Sequence, residues 1–175
     1  MDHMGAAIMR NIEAFGDYFL RVTGVILFVT VLAKVVSSLG SAEVLRLPDA
    51  LSGVQNRWVM VLAAVVELAV LCVLASNARM PTKLATVLWL SLNFANYRLC
   101  VWLISVAAPC SCMGSAYERI GIDAATMDHI MSVIMLALLA GSAYFLRQFY
   151  LSNEKRRSLG HWAGRLGWRT LVDAE

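Results

Sequence analysis

Pro109-Cys110-Ser111-Cys112-Met113-Gly114 sets two cysteines one residue apart. Thiols this close can cycle between dithiol and disulfide, but only in a bent conformation. The ring that closes is small, and a strained disulfide is the easier one to reduce. Pro109 helps to end the preceding helix, and Gly114 permits positive φ in the turn. The thiolate is the reacting species, and a nearby cation favours it. Arg119 is the candidate cation. Cys110 and Cys112 are therefore the candidate catalytic residues of a thiol–disulfide exchange. A second chemistry competes at the same place. Met113, Met127, His129 and Met131 lie close by in sequence, and thiolate, thioether and imidazole ligands suit Cu(I). The copper alternative would use Cys110, Cys112, Met113 and His129. Zinc is less well served, because the chain has no second cysteine pair. Cys72 and Cys100 lie within apolar runs and read as small buried hydrophobes.

The scaffold behind the motif is apolar. Of 175 residues, 59% are hydrophobic and 15% charged, against about 45–50% and about 25% in an average soluble domain. The apolar residues fall into four blocks, each near the ~20 residues that cross a bilayer. The expected architecture is an all-α integral membrane four-helix bundle. Its spans cover about residues 18–39, 58–76, 84–108 and 127–149. A short segment, 1–17, precedes them, with Ala6 to Phe15 as a helix on the membrane surface between Gly5 and Gly16. A basic amphipathic tail, 150–175, follows and reads as lying among lipid headgroups. The first span ends near Gly40-Ser41-Ala42, a sequence suited to signal cleavage. It is longer than a signal core of about 7–15 residues and contains Lys34, so it reads as a retained helix. Pro81 or Thr82 is placed to start the third helix, and Thr126 to cap the fourth.

Basic residues orient the bundle. With four spans, the termini and the second loop share one side. That side holds Arg10, Arg21, Arg79, Lys83, Arg147, Lys155, Arg156, Arg157, Arg165 and Arg169, against Arg46, Arg57 and Arg119 opposite. Both termini are expected in the cytoplasm. In a bacterial inner membrane the Cys motif then faces the periplasm, where disulfides persist. The mild net charge of +3 gives no reason to expect nucleic acid.

Lys34, Glu67 and Arg98 fall inside spans, where an ionisable residue marks a pairing or functional site. Counting ~1.5 Å per residue puts Glu67 about 14 Å and Arg98 about 16 Å below the outer surface. Opposite sign at matched depth predicts a Glu67–Arg98 pair. Lys34 is shallower and either snorkels or joins them. The third span also carries Asn93, Asn96, Tyr97 and Cys100 on one face, and Ser91, Arg98 and Ser105 on another. It is expected to be the helix most enclosed by its neighbours.

With Ala33-Lys34, Glu67, Tyr97-Arg98 and the Pro109–Gly114 motif in view, the chain resembles the MauE/DoxX family of redox-associated inner-membrane proteins, the MauE branch most closely. The resemblance covers about residues 18–149. It implies work beside a periplasmic thioredoxin-like protein, making or maintaining disulfides in a client, as in methylamine utilisation. DoxX-type relatives imply sulfur-compound oxidation feeding quinone. Carried over by residue, Cys110 and Cys112 are the redox pair, with Lys34, Glu67, Tyr97 and Arg98 as supporting polar core.

The leading expectation is a membrane thiol–disulfide redox protein that exchanges with a thioredoxin-like partner or client. The sequence fixes no cofactor. A quinone is the candidate acceptor near Glu67, Tyr97 and Arg98, with Cys100 and His129 as a candidate quinone or proton site. The alternatives are a non-catalytic accessory or assembly subunit of a membrane complex, and a Cu(I)-binding membrane protein.

Overall fold

The structure, a computed structural model, describes residues 2–39, 45–49, 51–104 and 123–172. Among the described residues there are four α-helices: α1 (Asp2–Ser38), α2 (Asn56–Ala75), α3 (Met80–Leu103) and α4 (Ala124–Val172). Local chemistry sets their ends. The Ser76 hydroxyl closes α2 on the Val73 carbonyl at 2.7 Å and accepts the Ala78 N–H at 3.2 Å. Pro81 lies in the first turn of α3, where its missing N–H costs nothing. Asp123, rather than Thr126, caps α4, its carboxylate accepting the Thr126 N–H at 2.9 Å. A short acidic side chain just before the helix outcompetes a hydroxyl that already lies within the first turn.

Side-chain pairs show how the helices run. Lys34 meets Glu67, and Leu27 packs with Val70, so α1 and α2 are antiparallel. Leu20 packs with Leu84, Leu27 with Leu90, and Lys34 lies over Phe94, so α3 runs parallel to α1. Arg98 pairs with Asp128 while Phe145 packs against the Leu84–Val87 level, so α4 is antiparallel to α3. The bundle is layered. One apolar cluster centres on Leu20, Leu84 and Val87, and the next on Leu27, Val70 and Leu90. Above them, toward the α1–α2 loop, the interior turns polar.

The surface is inverted relative to a soluble bundle. Val25, Phe28, Val29 and Leu32 on α1 are exposed, as are Leu62, Val65 and Leu68 on α2 and Val133 and Leu136 on α4, while Lys34 and Glu67 are buried. In water this would leave an extended apolar face uncovered. A bilayer makes it the favourable arrangement. Three segments, Ala14–Ser38, Asn56–Ala75 and Thr126–Ser152, are long and apolar enough to cross one, as in a multi-pass membrane protein. Three buried hydroxyls are satisfied within their own helices. Thr23 donates to Phe19 O at 2.8 Å, Ser91 to Val87 O at 2.9 Å and Ser142 to Leu138 O at 2.6 Å.

Several expectations change. α1 runs unbroken through Gly5 and Gly16, so residues 6–15 continue the first helix instead of forming a separate one. Likewise α4 continues to Val172 with no break at residue 150. The most enclosed helix is α1, not α3: Leu20, Thr23, Leu27, Thr30, Lys34 and Ser37 form a buried stripe at alternating spacings of three and four. Asn93 and Asn96 are exposed. The Asn93 amide donates to Trp89 O at 2.8 Å, so it needs no neighbouring helix.

Two glycines admit close neighbours. A Cβ at Gly141 would stand 2.5 Å from Phe19 Cε2 and 2.8 Å from Cζ, in a ring already packed on Phe145 with centroids 5.4 Å apart. At Gly16 the obstacle is the Met80 methyl, the end of a flexible chain that can turn aside. Gly141→Ala is expected to cost about 1–3 kcal/mol through overpacking, and Gly16→Ala less. Thermal unfolding of the two variants in detergent checks the order; a lower melting temperature for Gly16→Ala would contradict it.

Candidate functional site

The polar half of the interior begins at Lys34 and Glu67. They form an ion pair with side chains 4% and 3% exposed. Thr30, one turn before Lys34, places its hydroxyl 3.1 Å from Glu67 Oε2 and 2.9 Å from Leu27 O. The single Thr30 hydroxyl hydrogen is thus shared between that carbonyl and the second carboxylate oxygen. Phe94 closes the group from α3, its ring centroid 5.3 Å from Lys34 Nζ, within the range of a cation–π contact. Two charges in so dry a place are tolerable only because each satisfies the other.

One turn above Phe94, Arg98 pairs with Asp128 of α4, with side chains 21% and 40% exposed. Tyr97, its neighbour, donates to Asp49 Oδ1 at 2.5 Å. Asp49 belongs to the α1–α2 loop. Its Oδ2 accepts the Leu51 and Ser52 N–H groups at 3.2 and 2.9 Å and the Ser52 hydroxyl at 2.9 Å. The loop closes on itself through a Pro48–Gln55 bridge, with the Asp49 N–H on Val54 O at 2.7 Å. Gly53 turns it at φ 66°, a conformation that favours glycine. Burial pushes the Asp49 pKa up, but the bonds from Tyr97, Ser52 and Leu51 outweigh it, and the carboxyl titrates below the usual aspartate range.

The predicted Glu67–Arg98 pair does not form. α3 ends at Leu103 with Ile104 as its cap, not near Ala108. Arg98 is thus five residues from the helix end, and Glu67 is eleven residues into α2. By these counts the two stand about 9 Å apart in depth, and each takes the counter-charge at its own level. Lys34 joins Glu67 and does not snorkel. Asp128 and Asp49 complete the network and were not among the expected site residues. Asp128 had a readable signal, because it lies near the start of the last span and Arg98 near the end of the one before. Cys72 is exposed on the outer face of α2, not buried, while Cys100 is half-buried in α3. The two thiols are free and lie toward opposite ends of the bundle. His129 is exposed, beside the half-exposed Asp128 in sequence. Met127 and Met131 are half-buried on α4. Among the described residues no three His, Cys, Asp or Glu side chains converge as a metal site. Cys110, Cys112, Met113 and Arg119 lie outside the described residues.

What the described geometry can do is hold charge at two depths. The deep pair is a fixed, dry contact between α1 and α2. The shallow pair joins the ends of α3 and α4 that lead into and out of the Cys-containing segment. Removing one partner of the deep pair, by Lys34→Ala or Glu67→Ala, is expected to cost about 3–5 kcal/mol, because a bare charge is left buried. The double variant Lys34→Met/Glu67→Leu is expected to regain most of that loss, as read from denaturant unfolding in micelles. A double variant no more stable than the singles would refute this account of the pair. Asp49 gives a pH-dependent counterpart. Its depressed pKa contributes stability that is complete above the ordinary value of about 3.9 and is lost as pH falls through the lower folded value. Tyr97→Phe is expected to cost about 1.5 kcal/mol at neutral pH, with the gap to wild type narrowing below pH about 4. A gap that stays constant with pH would show that Tyr97 acts by packing alone. Comparison of the chain with protein-family models, with curated proteins and with solved structures gave no match.

Proposed function

We propose that the chain is a four-span membrane thiol–disulfide redox protein of the MauE/DoxX kind, resident in a bacterial inner membrane. Both termini are cytoplasmic, and Cys110 and Cys112 face the periplasm. The Lys/Arg asymmetry supports this orientation. A crossing by α3 is supported by its course beside α1, from the Leu20–Leu84 level to the Lys34–Phe94 level.

The observation that carries the reading is the Arg98–Asp128 ion pair. It ties together the two helix ends that flank the Cys-x-Cys segment in the chain, one level above the Lys34–Glu67 pair. In the proposed cycle a thiolate of a thioredoxin-like partner or client attacks the Cys110–Cys112 disulfide. A mixed disulfide forms and one cysteine of the pair leaves as thiolate. The second partner thiolate then attacks the mixed disulfide, which releases an oxidised partner and leaves Cys110 and Cys112 both reduced. Re-forming their disulfide delivers two electrons and two protons to an acceptor, for which a membrane quinone, becoming quinol, is the proposed species. Tyr97, Arg98, Cys100 and His129 lie on the α3 and α4 segments nearest that chemistry.

A second reading, an accessory or assembly subunit, draws on α4. Its helix continues twenty residues past Ser152, where the apolar segment ends, and such an extension suits docking.

Alkylation with a mass tag, before and after reduction of isolated membranes, separates the two. A mixed population of oxidised and reduced Cys110/Cys112 that shifts when the partner is removed is expected for a cycling pair. A permanently oxidised pair, with full activity in Cys110→Ser/Cys112→Ser, would leave only the structural reading. A membrane-impermeant thiol reagent added outside is expected to label reduced Cys112 and spare Cys72. Labelling from the cytoplasmic side alone would reverse the topology.

A further inference from the structure

At the opposite end of the bundle from the ion pairs, α1, α2 and α3 leave a cavity of about 430 Å³. Asp17 and Arg21 reach it from α1 and Lys83 from the first turn of α3. Leu20, Leu71 and Leu74 form its apolar wall. Gly24 opens that wall: a Cβ there would meet only Leu74 Cδ2, at 3.9 Å. Asp17 and Arg21 are one turn apart, a spacing that suits an ion pair, yet among the described residues neither they nor Lys83 forms one. Two cations and one carboxylate thus line a recess at the membrane boundary, and among the described residues none of them is in an ion pair.

The surface beside the recess runs from polar to apolar. Exposed Tyr18 lies one turn before Arg21, at the level where aromatic rings sit among headgroups. Val25, Phe28 and Leu32 follow Arg21 at helical spacing and are 65%, 56% and 48% exposed. A charged head with a long apolar track above it has the outline of a phospholipid. Basic recesses between membrane helices bind lipid phosphate, and the adjoining carboxylate adds a requirement for a hydrogen-bonding cation.

We propose that this cavity binds the headgroup of a glycerophospholipid carrying a primary ammonium, a phosphatidylethanolamine. Arg21 and Lys83 hold the phosphate diester. Asp17, one turn away, accepts hydrogen bonds from the ammonium, and an acyl chain lies along Val25, Phe28 and Leu32. A trimethylammonium head has no N–H to donate to Asp17, and a glycerol head has no cation. The site therefore discriminates among lipids that share the same phosphate.

Native mass spectrometry of the full chain, released from micelles doped with equal amounts of phosphatidylethanolamine, phosphatidylcholine and phosphatidylglycerol, tests it. The ethanolamine lipid is expected to be retained about ten-fold over the other two, the value of one charge-assisted contact. Arg21→Gln/Lys83→Gln is expected to lose all three lipids. Asp17→Asn is expected to lose the preference but keep phosphate binding. Gly24→Leu, which puts a bulky side chain into the cavity's apolar wall and leaves the charges alone, is expected to weaken lipid retention while thermal unfolding reports an intact fold. Equal retention of the three lipids by wild type would overturn the proposal, as would unchanged retention in the Arg21/Lys83 variant. Displacement of the lipid by millimolar inorganic phosphate would overturn it in favour of a soluble anion site.

Discussion

A charge placed inside an apolar medium has to find its counter-charge within the protein, and in this bundle Lys34 and Glu67 answer each other. The desolvation cost of each ion is several kcal/mol, so the pair tolerates little displacement. It fixes the register of α1 on α2. Once Lys34 faces Glu67, the heptad-like stripe from Leu20 to Ser37 faces inward as a whole, and Val25, Phe28 and Leu32 are left on the outside. The inverted surface of the molecule and its polar interior are thus two results of one constraint. Thr30 and Phe94 complete the enclosure and tie α3 to the same level.

The two ion pairs differ in kind. The deep pair is nearly inaccessible, whereas Asp128 keeps 40% of its side-chain surface exposed. Pairs open to solvent contribute at most about 1 kcal/mol, so separating the ends of α3 and α4 costs far less than separating α1 from α2. The α1–α2 loop is held from another direction, through Asp49 and Tyr97. α3 is thus held to the α1–α2 side by Tyr97 and Phe94, and the start of α4 is braced on it by the lighter Arg98–Asp128 pair. That asymmetry supports the proposed exchange at the segment between α3 and α4, which would require local give without loss of the bundle.

Much of the fold is legible in the residue order. Apolar runs of bilayer length, with Pro81 and the Asn77–Arg79 break between two of them, mark both ends of α2 and the start of α3 to within a few residues. The pairing of charges is harder to read. Depth counted from a helix end inherits any error in that end, and five residues at the end of α3 moved Arg98 by about 7 Å, enough to change its partner. Asp49 was legible as a turn residue, but its bond to Tyr97 joins positions 48 residues apart and depends on how the loop folds back. The continuity of α1 through Gly16 and of α4 past residue 150 escaped the composition-based boundaries. A change from apolar to charged residues marks where a membrane surface falls, and a helix has no need to stop there.

The polarity of the interior also divides the molecule by depth. Around Leu20, Leu84 and Val87 the contacts are apolar and tight, with Phe19 resting on Gly141. Dispersion contacts of this kind are short-ranged and many, so they resist shear without specifying which residues meet. Around Lys34, Arg98 and Tyr97 the contacts are few and each names its partner. A bundle built this way is held together at one end and addressed at the other. The chemistry proposed for the segment between α3 and α4 would draw on the addressed end, where each polar contact can be gained or lost singly, and the recess lined by Arg21 and Lys83 lies at the end where packing already supplies the rigidity.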